Sequence, residues 1–311
     1  MSYSAPFLVR DEFASRVGSK MSYSFVHTQR PQFPLRVLCQ TVGVTESGYH
    51  SWRARPQKRV EDDAQLLAHI KTVHDDSKGR YGSPRVYREL RATGVRCSRH
   101  RVARLMRAAG RRGRGKRRYK STTDSGHALP VAENLLMRQF EVAEPNLVWA
   151  ADMTFIKTTE GWLYLAVVLD LYSRKIVGWS MGSRMTAELP LAALRMAFQQ
   201  RRPAPGLMHH SDRGSQYASK VYQHALQGMQ MTCSMSRKGD CWDNAVVESF
   251  FASLKREECD GAAYSTRDVA RQHVFAYLEQ FYNRKRRHSY LGYVSPADFE
   301  AQHPASLKRI A

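Results

Sequence analysis

The chain has 311 residues, with 49 Lys and Arg against 28 Asp and Glu, a formal net charge of +21, and 42% hydrophobic residues. That length accommodates a catalytic domain plus one or two small modules, and the charge points to a polyanionic partner, nucleic acid before an acidic membrane. No apolar run approaches the ~20 residues of a membrane span, and Arg10, Asp11 and Glu12 stand where a secretory signal would be apolar.

The five cysteines, Cys39, Cys97, Cys233, Cys241 and Cys259, contain no C-x-x-C pair and match no zinc spacing. Reduced thiols in a soluble, cytoplasmic protein are expected. Residues 1–20 show no periodicity and read as an extension. The tetrapeptide MSYS at Met1–Ser4 recurs at Met21–Ser24, which suggests Met21 as a native start.

Residues 21–60 read as a first helix-turn-helix module. Pro34 suits a first helical turn, Val37, Leu38 and Val42 form an apolar face, Gly43 supplies a bend, and Thr45 caps a second helix with Tyr49 and Trp52. After Pro56 and a basic linker, Asp62–His74 is predicted as an amphipathic helix. Ser83 and Pro84 start another helix, Gly94 ends it, and Ser98 caps a third over Arg99–Ala109. Val102, Leu105 and Met106 face inward there, while Arg99, Arg101, Arg104 and Arg107 face out. Residues 61–110 thus form a second helix-turn-helix-like module, and arginine suits phosphates and guanine edges.

Between Arg80 and Lys120 the chain carries sixteen Lys and Arg and a single acid, Glu89. Its densest part holds Arg111, Arg112, Arg114, Lys116, Arg117 and Arg118 between two glycines and a tyrosine. Residues 111–130 are expected to be a basic linker that adds salt-sensitive, sequence-independent DNA affinity.

The texture changes at Val131. Strands are predicted at Leu147–Ile156, Trp162–Asp170, Ile176–Met181, Gly206–His210 and Met231–Met235. Helices are predicted at Thr186–Gln200, at Ser219–Leu226 and around Glu248. The order β-β-β-α-β-α-β-α is an antiparallel meander followed by parallel additions, an α/β architecture with a mixed five-stranded sheet. Residues 131–260 form this core, and 261–311 a C-terminal helical segment containing an amphipathic helix at Thr266–Asn283.

Three carboxylates stand out. Asp152 interrupts an apolar strand, where an isolated charge costs several kcal/mol unless it is paired or metal-bound. Asp212 follows a strand directly, and Glu248 lies on a helix whose other neighbours are mostly apolar. Each has a plainer reading: a strand-end turn for Asp152, an Asx turn ahead of Gly214 for Asp212, and a surface position for Glu248. Lys255, seven residues after Glu248, falls about 20° from its face on a helix. Three clustered carboxylates repel one another, and divalent cations with hard-oxygen preference relieve that. Two such ions ~3.5–4 Å apart activate an attacking oxygen and stabilise a leaving one. With no activated Ser, Cys or Tyr in evidence, water or a DNA hydroxyl is the expected nucleophile. Asp170 reads as a turn or structural ion pair, Asp243 as a helix cap, and His209 and His210 flank the site without being taken as ligands.

The segments YGSPRVYREL, CSRHRVARLMRAAG, VWAADMTFIKTTEGWLYLAVVLDLYSRKIVGW, HSDRGSQYAS, GDCWDNAVVESFFASLKRE and YNRKRRHSYLGYVSPADFE together resemble DDE transposases of bacterial insertion sequences. More narrowly, they resemble the second-frame (OrfB) product of the insertion-sequence-three family, whose core is similar to retroviral integrases. The resemblance spans roughly residues 30–300. It implies an RNase H-like core with Asp152, Asp212 and Glu248 as catalytic and metal-binding triad, Lys255 as a DNA contact, and Mg²⁺ or Mn²⁺ as cofactor. It further implies cleavage at terminal inverted repeats of double-stranded DNA, strand transfer into target DNA, and a first-frame (OrfA) partner. A homo-oligomer on DNA, close to the bacterial nucleoid, is expected. No zinc module of the integrase kind is present; the helix-turn-helix segments stand in its place. The competing expectations are a DNA-binding regulator with an inactive core and an RNase H-type nuclease.

Overall fold

Why the first residues form short helices is visible in their turns. The computed structural model describes residues 19–115, 130–237 and 241–302, in two units, Met1–Arg112 and Gly113–Ala311. The first unit opens with α1 (Ser19–Gln29), α2 (Leu35–Thr41) and α3 (Glu46–Asp76). Gly43 turns the chain at φ 70°, a left-handed conformation that glycine adopts without strain. Thr45 then caps α3 by accepting from the Gly48 amide at 3.0 Å. A Cβ on Gly48 would lie 2.2 Å from the Tyr23 hydroxyl, so α1 and α3 meet there only because the position is glycine. Val26, Leu38, Cys39, Val42 and Tyr49 make the small core. Val37, expected inside, is 48% exposed; the inward stripe of this two-turn helix passes through Leu38, Cys39 and Val42 instead.

The expected linker after Pro56 is absent. α3 continues through it for 31 residues, ~46 Å at the helical rise. Proline removes one donor, but its fixed φ is itself helical, and both halves of α3 have packing partners. Tyr49 is buried at one end and Leu66 and Ile70 at the other.

The later half of α3 packs against α4 (Ser83–Ala92) and α5 (Arg99–Ala108). Ser83, expected as the cap of α4, lies inside its first turn with Gly82 at the cap position and no side-chain cap bond. Gly94 (φ 84°) ends the connection, and Ser98 caps α5 by accepting from the Arg101 amide. Val86, Leu90, Val102, Leu105 and Met106 are buried as their spacing predicts.

The second unit is built on a sheet ordered β3-β2-β1-β4-β5. β1 (Val148–Thr158), β2 (Gly161–Asp170) and β3 (Ile176–Gly182) form the antiparallel meander; β4 (Met208–Ser211) and β5 (Thr232–Met235) add in parallel. The order of strands and helices matches the one read from the sequence. α6 (Glu188–Arg201) and α7 (Lys220–Gly228) cover one face, burying Trp149, Ala151, Val168, Leu194, Tyr217 and Tyr222. A Cβ on Gly178 would sit 2.2 Å from the Ala193 carbonyl oxygen, so glycine in β3 sets how closely α6 approaches.

A 3-10 turn, Cys241–Asn244, leads into α8 (Ala245–Leu254), which contacts β1 and continues as a wider π turn, Lys255–Cys259. The long helix expected from Thr266 is α9 (Arg267–Phe275), capped by Thr266 and relaxing into a second π turn at Ala276–Tyr282. α10 (Pro296–Gln302) follows. Residues 261–302 are bonded into the core. Asn283 exchanges both hydrogen bonds with the backbone of Ile176 at the β3 edge. Glu300 of α10 accepts from Arg201, Lys175 and Ser173. Arg286 and Glu257 form a buried bidentate pair at 2.7 Å, and Glu257 also accepts from the Tyr277 hydroxyl. Among the described residues no helix is long and apolar enough to cross a membrane.

Candidate active site

β4 pairs with β1 only from Val148 to Ala150, so β1 outruns its parallel neighbour from Ala151 onward. Asp152 lies just inside that gap, partly buried. In the parallel register Ala150 stands opposite His210, and two residues further along each strand are Asp152 and Asp212. The two aspartates therefore come level at the end of β4. α8 closes the gap. The Asn244 side-chain amide donates to the Ala151 carbonyl at 3.2 Å, fixing the start of α8 beside Asp152. Glu248, half-buried, follows one turn later.

The electrostatics agree with this convergence. The Asp152 carboxyl is held well above the ordinary aspartate value, first by burial and then by repulsion from Asp212 and, more weakly, from Glu248. Donation from the Met153 amide (2.7 Å) opposes this, and Lys255 opposes it least. Burial also raises Glu248 and lowers Lys255, the latter shift countered in part by Asp152. Lys255 Nζ lies 5.1 Å from the centroid of the Phe155 ring. Asp212 Oδ1 accepts from the Gly214 amide at 2.9 Å, so it does make the Asx turn; its second oxygen is a further acceptor.

Among the described residues, no three His, Cys, Asp or Glu side chains form a closed ligand set for a metal ion. The donor chemistry nevertheless fits a hard divalent cation: carboxylates on β1, at the end of β4 and on α8, whose repulsion adds to burial in raising Asp152, are what such an ion relieves.

Asp243 is not the helix cap. It is fully buried and accepts from the Arg237 amide and guanidinium, from Arg138 and from Asn134. These donors, Arg237 foremost, hold its carboxyl far below the usual range. The residue at the cap, Asn244, makes no cap bond because its side chain is committed to Ala151. Asp170 is the structural acid expected: buried, accepting from the Asn146 and Tyr172 amides, and 3.6 Å from Arg201. His209 and His210 are both buried, pushed down to about 3 and about 4 chiefly by that burial. His209 bonds to the Tyr222 hydroxyl and His210 to Ser234 and Ser236, so both are neutral framework.

Two features escaped the sequence. One is the Asn244–Ala151 bond, for which only the position of Asn244 at a helix entry was a signal. The other is Tyr217, fully buried, whose hydroxyl has no hydrogen-bond partner.

In the first unit the outward arginines of α5 divide. Arg99 and Arg107 are exposed, whereas Arg101 and Arg104 each donate to Asp63 of α3 at 2.6 Å. These two bonds hold the Asp63 carboxyl below its usual value. Two of the four outward arginines are thus also tied to the fold. In the basic stretch, Arg111 bonds to His74 and Asp75, and the Arg112 carbonyl lies 3.3 Å from His74 Nε2. Arg114 donates to the Glu257 carbonyl. Lys116, Arg117 and Arg118 lie outside the described residues.

Residues 142–241 and again 229–296 match families described as integrase core domains, and residues 61–119 match an HTH-like domain. A 31 kDa protein of insertion element IS600 from Shigella sonnei is 45% identical over 86% of this chain and 98% of its own length. Transposase InsF for insertion sequence IS3A from Escherichia coli (strain K12) is 43% identical over 90% and 98%. Among solved structures, a simian T-cell lymphotropic virus intasome chain aligns with TM-score 0.43 and 15% identity, over 74% of this chain and 73% of that one. With identity this high over nearly the whole of each relative, and with an HTH-like domain and an integrase core matched in this chain, the chain belongs to the IS3 family of insertion-sequence transposases.

Proposed function

We propose that Asp152, Asp212 and Glu248 are the catalytic carboxylates with which this DDE-type polynucleotidyl transferase cuts the ends of its insertion sequence and joins them to target DNA. The observation that carries the reading is the convergence of the three acids where β1 outruns β4, with Asn244 tying α8 to Ala151. Two Mg²⁺ or Mn²⁺ ions held by these carboxylates would supply Lewis-acid activation of the attacking oxygen and stabilise the leaving one.

Water attacks phosphorus at the element end, the bond to the 3′ oxygen breaks, and a free 3′-OH remains. That hydroxyl then attacks a target phosphodiester, forming one P–O bond as another breaks. Lys255, on the turn that continues α8, meets a phosphate beside the acids. The HTH-like region contributes duplex contacts through Arg99 and Arg107, and the stretch through Arg111, Arg112, Arg114, Lys116, Arg117 and Arg118 adds affinity that ignores sequence. The chain works as a homo-oligomer on double-stranded DNA in the bacterial cytoplasm, with the first-frame protein as partner.

The test is incubation with a labelled element end and Mg²⁺ or Mn²⁺, comparing wild type with Asp152→Asn. End-specific nicking and strand transfer, lost in the variant, are expected. Binding without cleavage would favour the regulator, and cleavage indifferent to the end sequence the RNase H-type nuclease.

A further inference from the structure

Trp162 is 44% exposed. Tryptophan exposed to this degree on a strand is unusual, because its area is normally buried. It stands at the start of β2 with Lys157 directly opposite in the β1 register, while Phe155 pairs with Tyr164 two residues further along. Residues opposite one another in an antiparallel pair project to the same face, so Trp162, Lys157 and Phe155 share one. The Phe155 and Trp162 rings meet at a centroid distance of 4.8 Å and an interplanar angle of 74°. This edge-to-face pair fixes the orientation of the indole.

Cations surround the rings. Lys255 Nζ is 5.1 Å from the Phe155 centroid, within cation–π range, and Lys157 is exposed. Arg267 donates to the Trp162 carbonyl at 3.1 Å and to the Glu160 carbonyl at 2.7 Å, and the Glu160 carboxylate accepts from the Arg267 amide, so the one acid at this hairpin is held by backbone. Phe155 lies three residues beyond Asp152, ~10 Å along the strand and on the alternate face; Lys255, which acts on the Asp152 carboxyl and lies over the Phe155 ring, links the two. An aromatic pair is too small for a protein hot-spot patch and has the size of one base. Lysines on either side suit the phosphates that flank it.

We propose that Trp162, backed by Phe155, is a stacking platform for an unpaired nucleobase of the DNA strand beside the carboxylate site, with Lys157 and Lys255 meeting the adjoining phosphates. The proposal rests on the reading of this unit as a DNA-processing core. A base inside a duplex has both faces covered, so the platform takes one at a frayed or splayed end.

The experiment measures binding of the full chain, in EDTA, to two duplexes carrying the element's end. One is fully paired and the other has its last three pairs mismatched, with 2-aminopurine among the unpaired bases. Wild type binds the mismatched duplex more tightly and quenches the 2-aminopurine. Trp162→Ala loses the quenching and weakens mismatched-end binding roughly 5- to 150-fold, while affinity for the paired duplex stays unchanged; Trp162→Phe retains most of both. The platform is overturned if wild type shows no preference, if Trp162→Ala keeps preference and quenching, or if it weakens both duplexes equally. Failure of wild type to cleave in metal would sink the transposase reading and leave this binding result standing.

Discussion

The side-chain amide of Asn244 donates to the carbonyl of Ala151, the residue before Asp152 and the first on β1 beyond the reach of β4. That single bond joins the helix carrying Glu248 to the strand carrying Asp152. Its other polar atom, Oδ1, is buried without a hydrogen-bond partner. Replacing Asn244 with Ala removes both. The loss of one buried hydrogen bond costs about 1 kcal/mol of stability. A shift of Glu248 relative to Asp152 by a fraction of a helical turn lowers cleavage about 10- to 100-fold. Parallel cleavage and DNA-binding assays check this: cleavage falls and binding holds.

Removing the Asp152 carboxylate stabilises the metal-free fold. Asp152 has a folded-state value raised above its unfolded one, so the folded protein retains the proton over a window in which the unfolded chain has released it. Stability then declines as pH rises through that window. Asp152→Asn cannot ionise; its melting temperature in EDTA exceeds wild type at pH 7, and the gap closes at pH values below the ordinary aspartate value of about 3.9. Adding Mg²⁺ raises the melting temperature of wild type and not of the variant.

Asp243 has the opposite sign. Its carboxyl is held down by Arg237 and Arg138, so its contribution is present above the unfolded value and lost as pH falls through the folded one. Both arginines are about half exposed, which screens the attraction. Asp243→Asn therefore costs about 1–3 kcal/mol, mostly from buried donors left without a partner. Urea melts at pH 7 separate the variant from wild type, and melts at progressively more acid pH bring the two together.

Asp63 restrains two arginines of α5. Asp63→Ala frees Arg101 and Arg104, and the slope of log K against log salt steepens by roughly 1–2, one step for each new phosphate contact. Arg99→Ala and Arg107→Ala each flatten it by about 1. Neutralising Lys116, Arg117 and Arg118 together weakens binding to all sequences alike. Fluorescence anisotropy at four salt concentrations distinguishes these outcomes.

The strands and their parallel and antiparallel order were legible because each follows from local pattern, apolar runs and turn residues, and Asp152 stood out as a carboxylate where an apolar residue belongs. What was not legible depended on tertiary partners. Pro56 reads as a breaker until both halves of α3 find packing. The arginines of α5 read as one charged face until Asp63, some forty residues earlier, arrives against two of them. Asp243 has the position of a cap, and the fold-back of Arg237 together with the approach of Arg138 and Asn134 from a distant segment makes it an ion-pair hub. The π turn at Lys255–Cys259 leaves no trace in helical spacing at all.

The buried Arg286–Glu257 pair makes the segment after α8 depend on a distant part of the chain. Glu257 lies nine residues after Glu248, on the turn that continues its helix, and its guanidinium partner is synthesised 29 residues later. Without Arg286 the buried carboxylate keeps the Tyr277 hydroxyl but loses its guanidinium partner, a strongly unfavourable state. The turn that continues the Glu248 helix therefore depends for its stability on a segment well downstream of it in the chain.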